Sequence, residues 1–276
     1  YNKVLQVKPG FAVDNPPDLR HVRTSTSASA GILQHGASAR LTAVLTPSTT
    51  LVSLSAFRAL DNEFLVDADV TELELLSSHV HERQHQWSEE ITLSHRRPRS
   101  TWIAGAFLFK EADRQTVWLD QPASSVRVFV DPRVDARSVA GFGQATFDLT
   151  ARLSGILGLR YTREQKTIDN FGGRYPFDTA GTPISGSAYS YTDSIVHTAW
   201  TPKIGVELKL PRQALAYASA TRGFKSGGFN LSSTQPGRGF APEWAWSYEG
   251  GVKTALMNGR GRVNAATFFM GYTNLE

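Results

Sequence analysis

The sequence predicts an all-β fold, an antiparallel transmembrane β-barrel, and three observations carry that reading. Long stretches alternate apolar and polar residues with a period of two, as in 244–256 and 153–162. Short turns alternate strictly with long loops, which suits a membrane barrel and not a soluble sandwich with evenly spaced turns. Asn258-Gly259 stands between two alternating runs, the strongest short hairpin signal there is. No run approaches the roughly eighteen apolar residues a membrane helix needs. Barrel strands need only about ten residues, every other one apolar.

Taken in order, residues 1–36 are poorly patterned. Pro9-Gly10 and Asn15-Pro16-Pro17-Asp18 are turn chemistry, and 24–30 is a small polar run. This part is expected to be a loop or strand remnant on the extracellular side, with a barrel segment over 37–276. The spacing predicts a strand over 39–45, a turn at Thr46-Pro47-Ser48-Thr49 and a return strand over 50–64. An acidic loop follows at 67–74. A second pair is expected at 83–94 and 101–117 across a basic turn, His95-Arg96-Arg97-Pro98-Arg99, and then a long connection containing Pro122 and Pro132. A third pair lies at 138–149 and 153–168 across Thr150-Ala151-Arg152. Residues 169–190 read as a loop. A fourth pair, 191–210 and 214–225, turns at Pro211-Arg212-Gln213, and 231–241 is loop. The last hairpin turns at Met257-Asn258-Gly259-Arg260. The total is roughly ten strands in five hairpins, with short turns facing the periplasm and long loops facing outside. Trp87, Trp102, Trp200, Trp246, Tyr161 and Tyr272 are the candidates for interfacial aromatic girdles.

The organising stretch is ALAYASATRGFKSGGFN, residues 214–230, answered by residues 243–276. Tyr217-Ala218-Ser219 with Arg222-Gly223-Phe224-Lys225-Ser226-Gly227-Gly228-Phe229-Asn230 resembles the barrel of TonB-dependent outer-membrane receptors. Pro242-Glu243, Trp246-Ser247-Tyr248-Glu249, Gly251-Val252-Lys253, Asn258-Gly259-Arg260, Val263-Asn264-Ala265-Ala266 and Phe268-Phe269 continue it in order. Linked motifs over about sixty residues are far more specific than any one of them. Weaker echoes reach back to about Leu41, through Ser88-Glu89-Glu90-Ile91-Thr92-Leu93 and Gly158-Leu159-Arg160-Tyr161. The resemblance implies active import of a bulky scarce nutrient, most often a ferric siderophore, across the bacterial outer membrane. It also implies a barrel of about 22 strands, an N-terminal plug and a segment that contacts the TonB–ExbB–ExbD complex. Neither plug nor contact segment is found in this sequence, which is read as part of a larger plugged barrel.

Composition narrows the classes. The 29 basic and 25 acidic residues leave a net charge of +4. That is too mild and dispersed for a nucleic-acid surface. With no cysteine, disulfide scaffolds and thiolate chemistry are excluded. The chain begins at Tyr1 without a signal-peptide pattern, so it reads as an internal or mature portion.

Few residues suggest chemistry. His79, His81 and His85 share strand parity with Arg83, so His81 and His85 are ligand-contact candidates beside the plain reading of a wet barrel wall. Arg222 and Lys225 stand where a strand opens into a Gly-rich loop and are the other two candidates, against lipid headgroup or salt-bridge contact. Asp67-Ala68-Asp69 begins like a calcium loop, but Glu72 and Ser78 stand where that loop requires Gly and Glu. Glu89 and Glu90 point to opposite faces and cannot act as a catalytic pair, and no nucleophile elbow is present. No metal site, cofactor or enzymatic activity is expected. Two other classes remain beside active import: a passive porin-type channel, and a non-transporting β-rich surface or adhesin protein.

Overall fold

The computed structural model describes residues 24–177, 181–211, 214–256 and 260–275. Among these, every regular element is a strand except one 3-10 turn at Pro122–Ser124. Among the described residues no helix is long and apolar enough to cross a membrane. β1 (Ser29–Thr46) and β2 (Thr49–Asp67) turn at Pro47-Ser48. β3 (Ser77–Arg97) and β4 (Ser100–Gln121) turn at Pro98-Arg99. β5 (Val126–Val130) and β6 (Arg133–Asp148) lie end to end between β4 and β7 (Leu153–Pro176). β8 (Tyr189–Leu210) and β9 (Ala214–Lys225) follow. β10 (Gly228–Phe229) and β11 (Gly239–Phe240) form a small ladder of their own, and β12 (Glu243–Leu256) and β13 (Gly261–Thr273) close the series. The main sheet is 11-stranded and antiparallel in sequence order, and among the described residues β1 pairs only with β2 and β13 only with β12.

The five expected hairpins are present, and several boundaries differ. The first strand begins at Ser29, not 39, because residues 29–38 pair with β2 throughout, from Ser29↔Leu65 to Ser38↔Ala56. Backbone pairing needs no alternation, and the adjacent Ile32 and Leu33 among small residues break the period of two that would have marked a strand. β3 starts at Ser77 rather than 83, carried by pairing with β2 from Asp67↔Ser77 onward. The expected long connection around Pro122 is instead a tight reversal. Ser125, at φ 52, donates its N–H to the Pro122 carbonyl (2.9 Å), and β5 then runs back along β4. The break between β5 and β6 falls at Asp131-Pro132, since proline has no N–H to give a ladder. β7 continues to Pro176 instead of ending at 168, because β5 offers it a partner (Val130↔Gly172). Of the expected turns, 212–213 and 257–259 lie outside the described residues, as do 1–23. Leu210↔Ala214 and Leu256↔Gly261 pair across the two gaps.

The sheet has two unlike faces. On β8, Val196, Trp200, Ile204, Val206, Leu208 and Leu210 point one way and are exposed. The alternate residues Ala199 and Gly205 are buried. Side chains diverge on the convex side of a curved sheet and crowd on its concave side, so the apolar face is the outer one. Register carries the assignment across the sheet: Leu157 and Leu159 lie opposite Ile204 and Pro202, and Leu108 lies opposite Val139. This outward apolar band with a concave polar face is the transmembrane-barrel pattern.

Aromatics mark its limits. Tyr161 and Trp200 pair across β7 and β8 with ring centroids 4.6 Å apart, and Phe57 lies opposite Trp87 on β2 and β3. Trp246 stands on the same outer face of β12. At the short-turn end, His95 stacks on Trp102 at 5.5 Å. Tyr272 departs from the expected girdle. It sits opposite Ala245 on the inward face, where its hydroxyl contacts the Met270 sulfur at 3.3 Å.

Two glycines make room for inward rings. A Cβ at Gly105 would lie 2.6 Å from both the Phe142 ring and the Ile91 carbonyl oxygen. One at Gly251 would lie 2.7 Å from the Ala265 carbonyl oxygen and 2.8 Å from the Tyr217 ring. In each case the ring lies over the cross-strand glycine, which pins register. Gly105→Val and Gly251→Val are therefore each expected to cost about 1–3 kcal/mol by overpacking. The check is the urea midpoint of the full-length protein in detergent; an unchanged midpoint would show that ring and backbone give way freely.

Candidate functional site

The concave wall holds the polar chemistry. Its richest part runs over β3, β4, β6 and β7, where alternation turns Glu82, Gln84 and Gln86, then Phe107, Phe109, Glu111 and Asp113, to the same side. Arg160 on β7 lies opposite Phe142 on the same wall. Its guanidinium carbon stands 5.3 Å from the Phe107 ring and 5.6 Å from the Phe142 ring, and its Nε donates to Thr162 Oγ1 at 3.1 Å. The cation is thus held between two rings, each contact worth on the order of 0.5–1 kcal/mol at such sites.

Above the aromatic level, toward the long-loop end, the wall turns acidic. Gln86 Nε2 donates to Gln84 Oε1 (3.0 Å) and to Glu111 Oε2 (2.5 Å). Asp113 lies beyond the membrane-facing level, opposite Gln84. Burial, then the negative charges of Glu82 and Glu111, push its carboxyl up to about 6, against a smaller opposing effect of the Arg114 N–H. Its Oδ1 is buried without a hydrogen-bond partner among the described residues.

A loop folds onto this wall from the same end. The segment carrying β10 and β11 lies over the inward side of β7 and β8 and is tied at three points. Lys166 Nζ donates to the Gly227 carbonyl (2.8 Å). Asn170 Nδ2 donates to the carbonyls of Leu231 (3.1 Å) and Ser233 (3.2 Å). The Gly237 N–H donates to Asp193 Oδ2 (2.7 Å). Asn170 is only 2% exposed. His197 Nε2 is buried without a hydrogen-bond partner among the described residues, and a Cβ at Gly227 would come within 2.7 Å of it.

The four residues named from the sequence do not come together. His81 and His85 lie on the outward face with Trp87 and Ile91. His81 Nε2 meets Asp61 Oδ1 at 3.0 Å, and His85 lies beside the Phe57 ring. Arg222 is also outward, 4.0 Å above the Trp244 ring. Lys225 alone is on the inward wall, paired with Glu243 at 2.8 Å. Among the described residues no group of three or more His, Cys, Asp or Glu is placed to hold a metal ion. Asp67 and Asp69, the false calcium start, staple their own loop: Asp67 Oδ1 accepts the Val70 N–H (2.9 Å) and Asp69 Oδ2 accepts the Leu76 N–H (2.6 Å). Sequence reasoning missed Arg160 and the strap contacts. Arg160's parity on β7 and its registry with Phe142 were the signals available for the first, while the second joins residues about sixty positions apart and left none.

A long antiparallel sheet with an apolar convex face, aromatic margins and a polar concave face defines a wall of the membrane β-barrel class. More narrowly, the chain belongs to the TonB dependent receptor-like, beta-barrel family, whose pattern matches residues 12–275. It is similar to the metal-pseudopaline receptor CntO of Pseudomonas aeruginosa, 28% identical over 133 residues, covering 48% of this chain and 17% of that receptor. Its fold matches the ferric yersiniabactin uptake receptor FyuA of Yersinia pestis with a TM-score of 0.77 at 14% identity, over 89% of this chain and 36% of that one. It also matches the siderophore receptor PiuA of Acinetobacter baumannii with a TM-score of 0.64 at 14% identity, over 87% of this chain and 40% of that one. The chain thus spans well under half the length of each of these proteins.

Two expectations follow from the wall. Because the Asp113 carboxyl is raised above its ordinary value, the folded state holds its proton more tightly than the unfolded one. Its burden on stability is absent well below pH 4, grows as pH rises, and is complete above about pH 6. Asp113→Asn is expected to raise the thermal midpoint of the full-length protein at pH 8 and leave it unchanged at pH 4; equal effects at both would contradict this. Asn170→Ala should release the strap, seen as faster amide exchange at 228–240 with the exchange of β7 unchanged.

Proposed function

We propose that this chain is wall and loops of a ligand-gated importer in the outer membrane of a Gram-negative bacterium. The cargo is a metal carried by an organic chelator, a ferric siderophore first among them, and TonB–ExbB–ExbD supplies the energy. The observation that carries this is the concave wall. It is too polar and charged to face lipid, and a strap tied by Lys166, Asn170 and Asp193 hangs onto it from the long-loop end. By barrel convention the short turns then face the periplasm and the long loops the outside. The family assignment and the metal-chelate cargoes in the names of similar receptors favour this reading over a passive porin.

In mechanism, loops capture the chelate at the outer end and pass it to the inward wall. There Arg160, held between two rings, offers a cation with its orientation already fixed. Lys225 is the one residue named from the sequence that stays a ligand-contact candidate; His81, His85 and Arg222 face outward. A plug elsewhere in the receptor closes the lumen, and TonB pulling opens it.

The test is uptake of radiolabelled iron by cells expressing the full receptor as their sole importer, supplied with ferric complexes of catecholate, hydroxamate and mixed chelators. Uptake that stops on loss of TonB or collapse of the proton gradient, with the protein in the outer-membrane fraction, is the expected result. Downhill flux indifferent to both would make it a porin. Outer-surface protein with no uptake of any complex would favour the adhesin class.

A further inference from the structure

The outward wall carries two sets of cations on the long-loop side of its aromatic margin. Farther from the margin, Arg83, Arg114 and Arg133 stand side by side across β3, β4 and β6. Each has a carboxylate: Asp61 at 3.2 Å, Asp131 at 2.6 Å and Asp135 at 3.4 Å. Nearer the margin, the side chains of Lys110, Arg137 and Arg163 have no hydrogen bond or ion pair among the described residues, and all three are exposed.

Register puts these three together. Lys110 is the cross-strand partner of Trp87 on one side and of Arg137 on the other. Arg163 lies opposite Val139, one same-face position from Arg137, and one same-face position beyond Tyr161 of the Tyr161–Trp200 pair. Like charges directly opposite on a sheet repel, so this arrangement costs free energy unless an anion sits between them. One same-face position toward the short turns, Leu108 and Val139 face each other, 41% and 55% exposed. The surface therefore offers cations at the level of a headgroup and apolar side chains at the level of acyl chains.

We propose that Lys110, Arg137 and Arg163 form a docking site for the phosphate groups of an outer-leaflet glycolipid, whose acyl chains lie over Leu108 and Val139. This rests on the outer-membrane orientation given above. Arginine forks match phosphate oxygens in pairs, and lysine adds a point charge. The apolar floor selects a lipid over a free anion, and the carboxylates already paired with Arg83, Arg114 and Arg133 exclude those residues from the same role.

The experiment uses the full-length receptor purified in detergent and titrated with bis-phosphorylated lipid A, with its dephosphorylated form and with inorganic phosphate, followed by native mass spectrometry. Wild type is expected to retain the bis-phosphorylated lipid. A Lys110→Gln, Arg137→Gln, Arg163→Gln triple variant is expected to bind it about a hundredfold more weakly. Arg133→Gln, which also loses a charge, should bind as wild type does. Should the triple variant fail to fold, Arg163→Gln alone is expected to lose several-fold. Equal retention by wild type and the folded variant would overturn the proposal, and so would displacement of the lipid by inorganic phosphate at equal concentration. The measurement needs neither cargo nor TonB. A receptor that imports its chelate yet binds lipid equally well in both forms fails this proposal alone; one that binds lipid as expected but imports nothing fails only the importer reading.

Discussion

In hydrocarbon no water is available to an unpaired peptide group, and each one left unsatisfied costs several kcal/mol. That constraint organises the chain. It makes antiparallel pairing mandatory across the membrane band, and the strands run on past that band, up to the 24 residues of β7. Residues 29–38 lack alternation and are still strand, because their backbone pairs with β2 throughout. Proline is admitted where the ladder can tolerate it. Pro47 and Pro98 sit in turns, and Pro132 sits in the gap between β5 and β6.

Once the backbone is fixed, curvature separates two tasks. Side chains on the convex face spread apart and need only match the solvent they meet. Leu157, Ile204 and Val206 do so within the band, and Arg83 and His81 do so beyond it. Side chains on the concave face converge. There a ring must find a glycine, as Phe142 does over Gly105, and a carboxylate such as Asp113 feels Glu82 on the next strand and Glu111 along its own. The polar side chains and the crowded electrostatics therefore share one wall for a geometric reason.

The fold was legible because period-two alternation and loop asymmetry are local signals. The turn at Pro47-Ser48 and the pairing of 138–149 with 153–168 could be read directly. The reversal at Ser125 was not, since it depends on one left-handed residue that resembles any other serine in sequence. Shared parity correctly put His81, Arg83 and His85 on one face, but sequence could not say which face was convex. That depends on the whole sheet, so the histidines were proposed for cargo while facing outward. Tyr272 failed as a girdle residue for the same reason. The strap was illegible because Asn170 meets Leu231 and Ser233 only after the sheet has formed.

Beyond the aromatic margin the sheet does not dissolve into loops. β5 extends the ladder between β4 and β7, and Trp118, Phe129, Phe171 and Tyr175 pack there with centroids 4.2 to 6.2 Å apart. Arg127 stands 5.5 Å from the Trp118 ring and holds Asp120 with a second nitrogen at 2.8 Å. At the break below, Asp131, 2% exposed, accepts hydrogen bonds from Nε and one Nη of Arg114 and from the Thr116 hydroxyl (3.0 Å). The lost ladder bonds are thus replaced by charge-assisted ones, and the extension is rigidly joined to the wall beneath. The strap over β7 and β8, by contrast, is held by a few hydrogen bonds and a two-residue ladder. Any motion at this end breaks the weaker set first, so the strap is the part that moves against a wall that stays fixed.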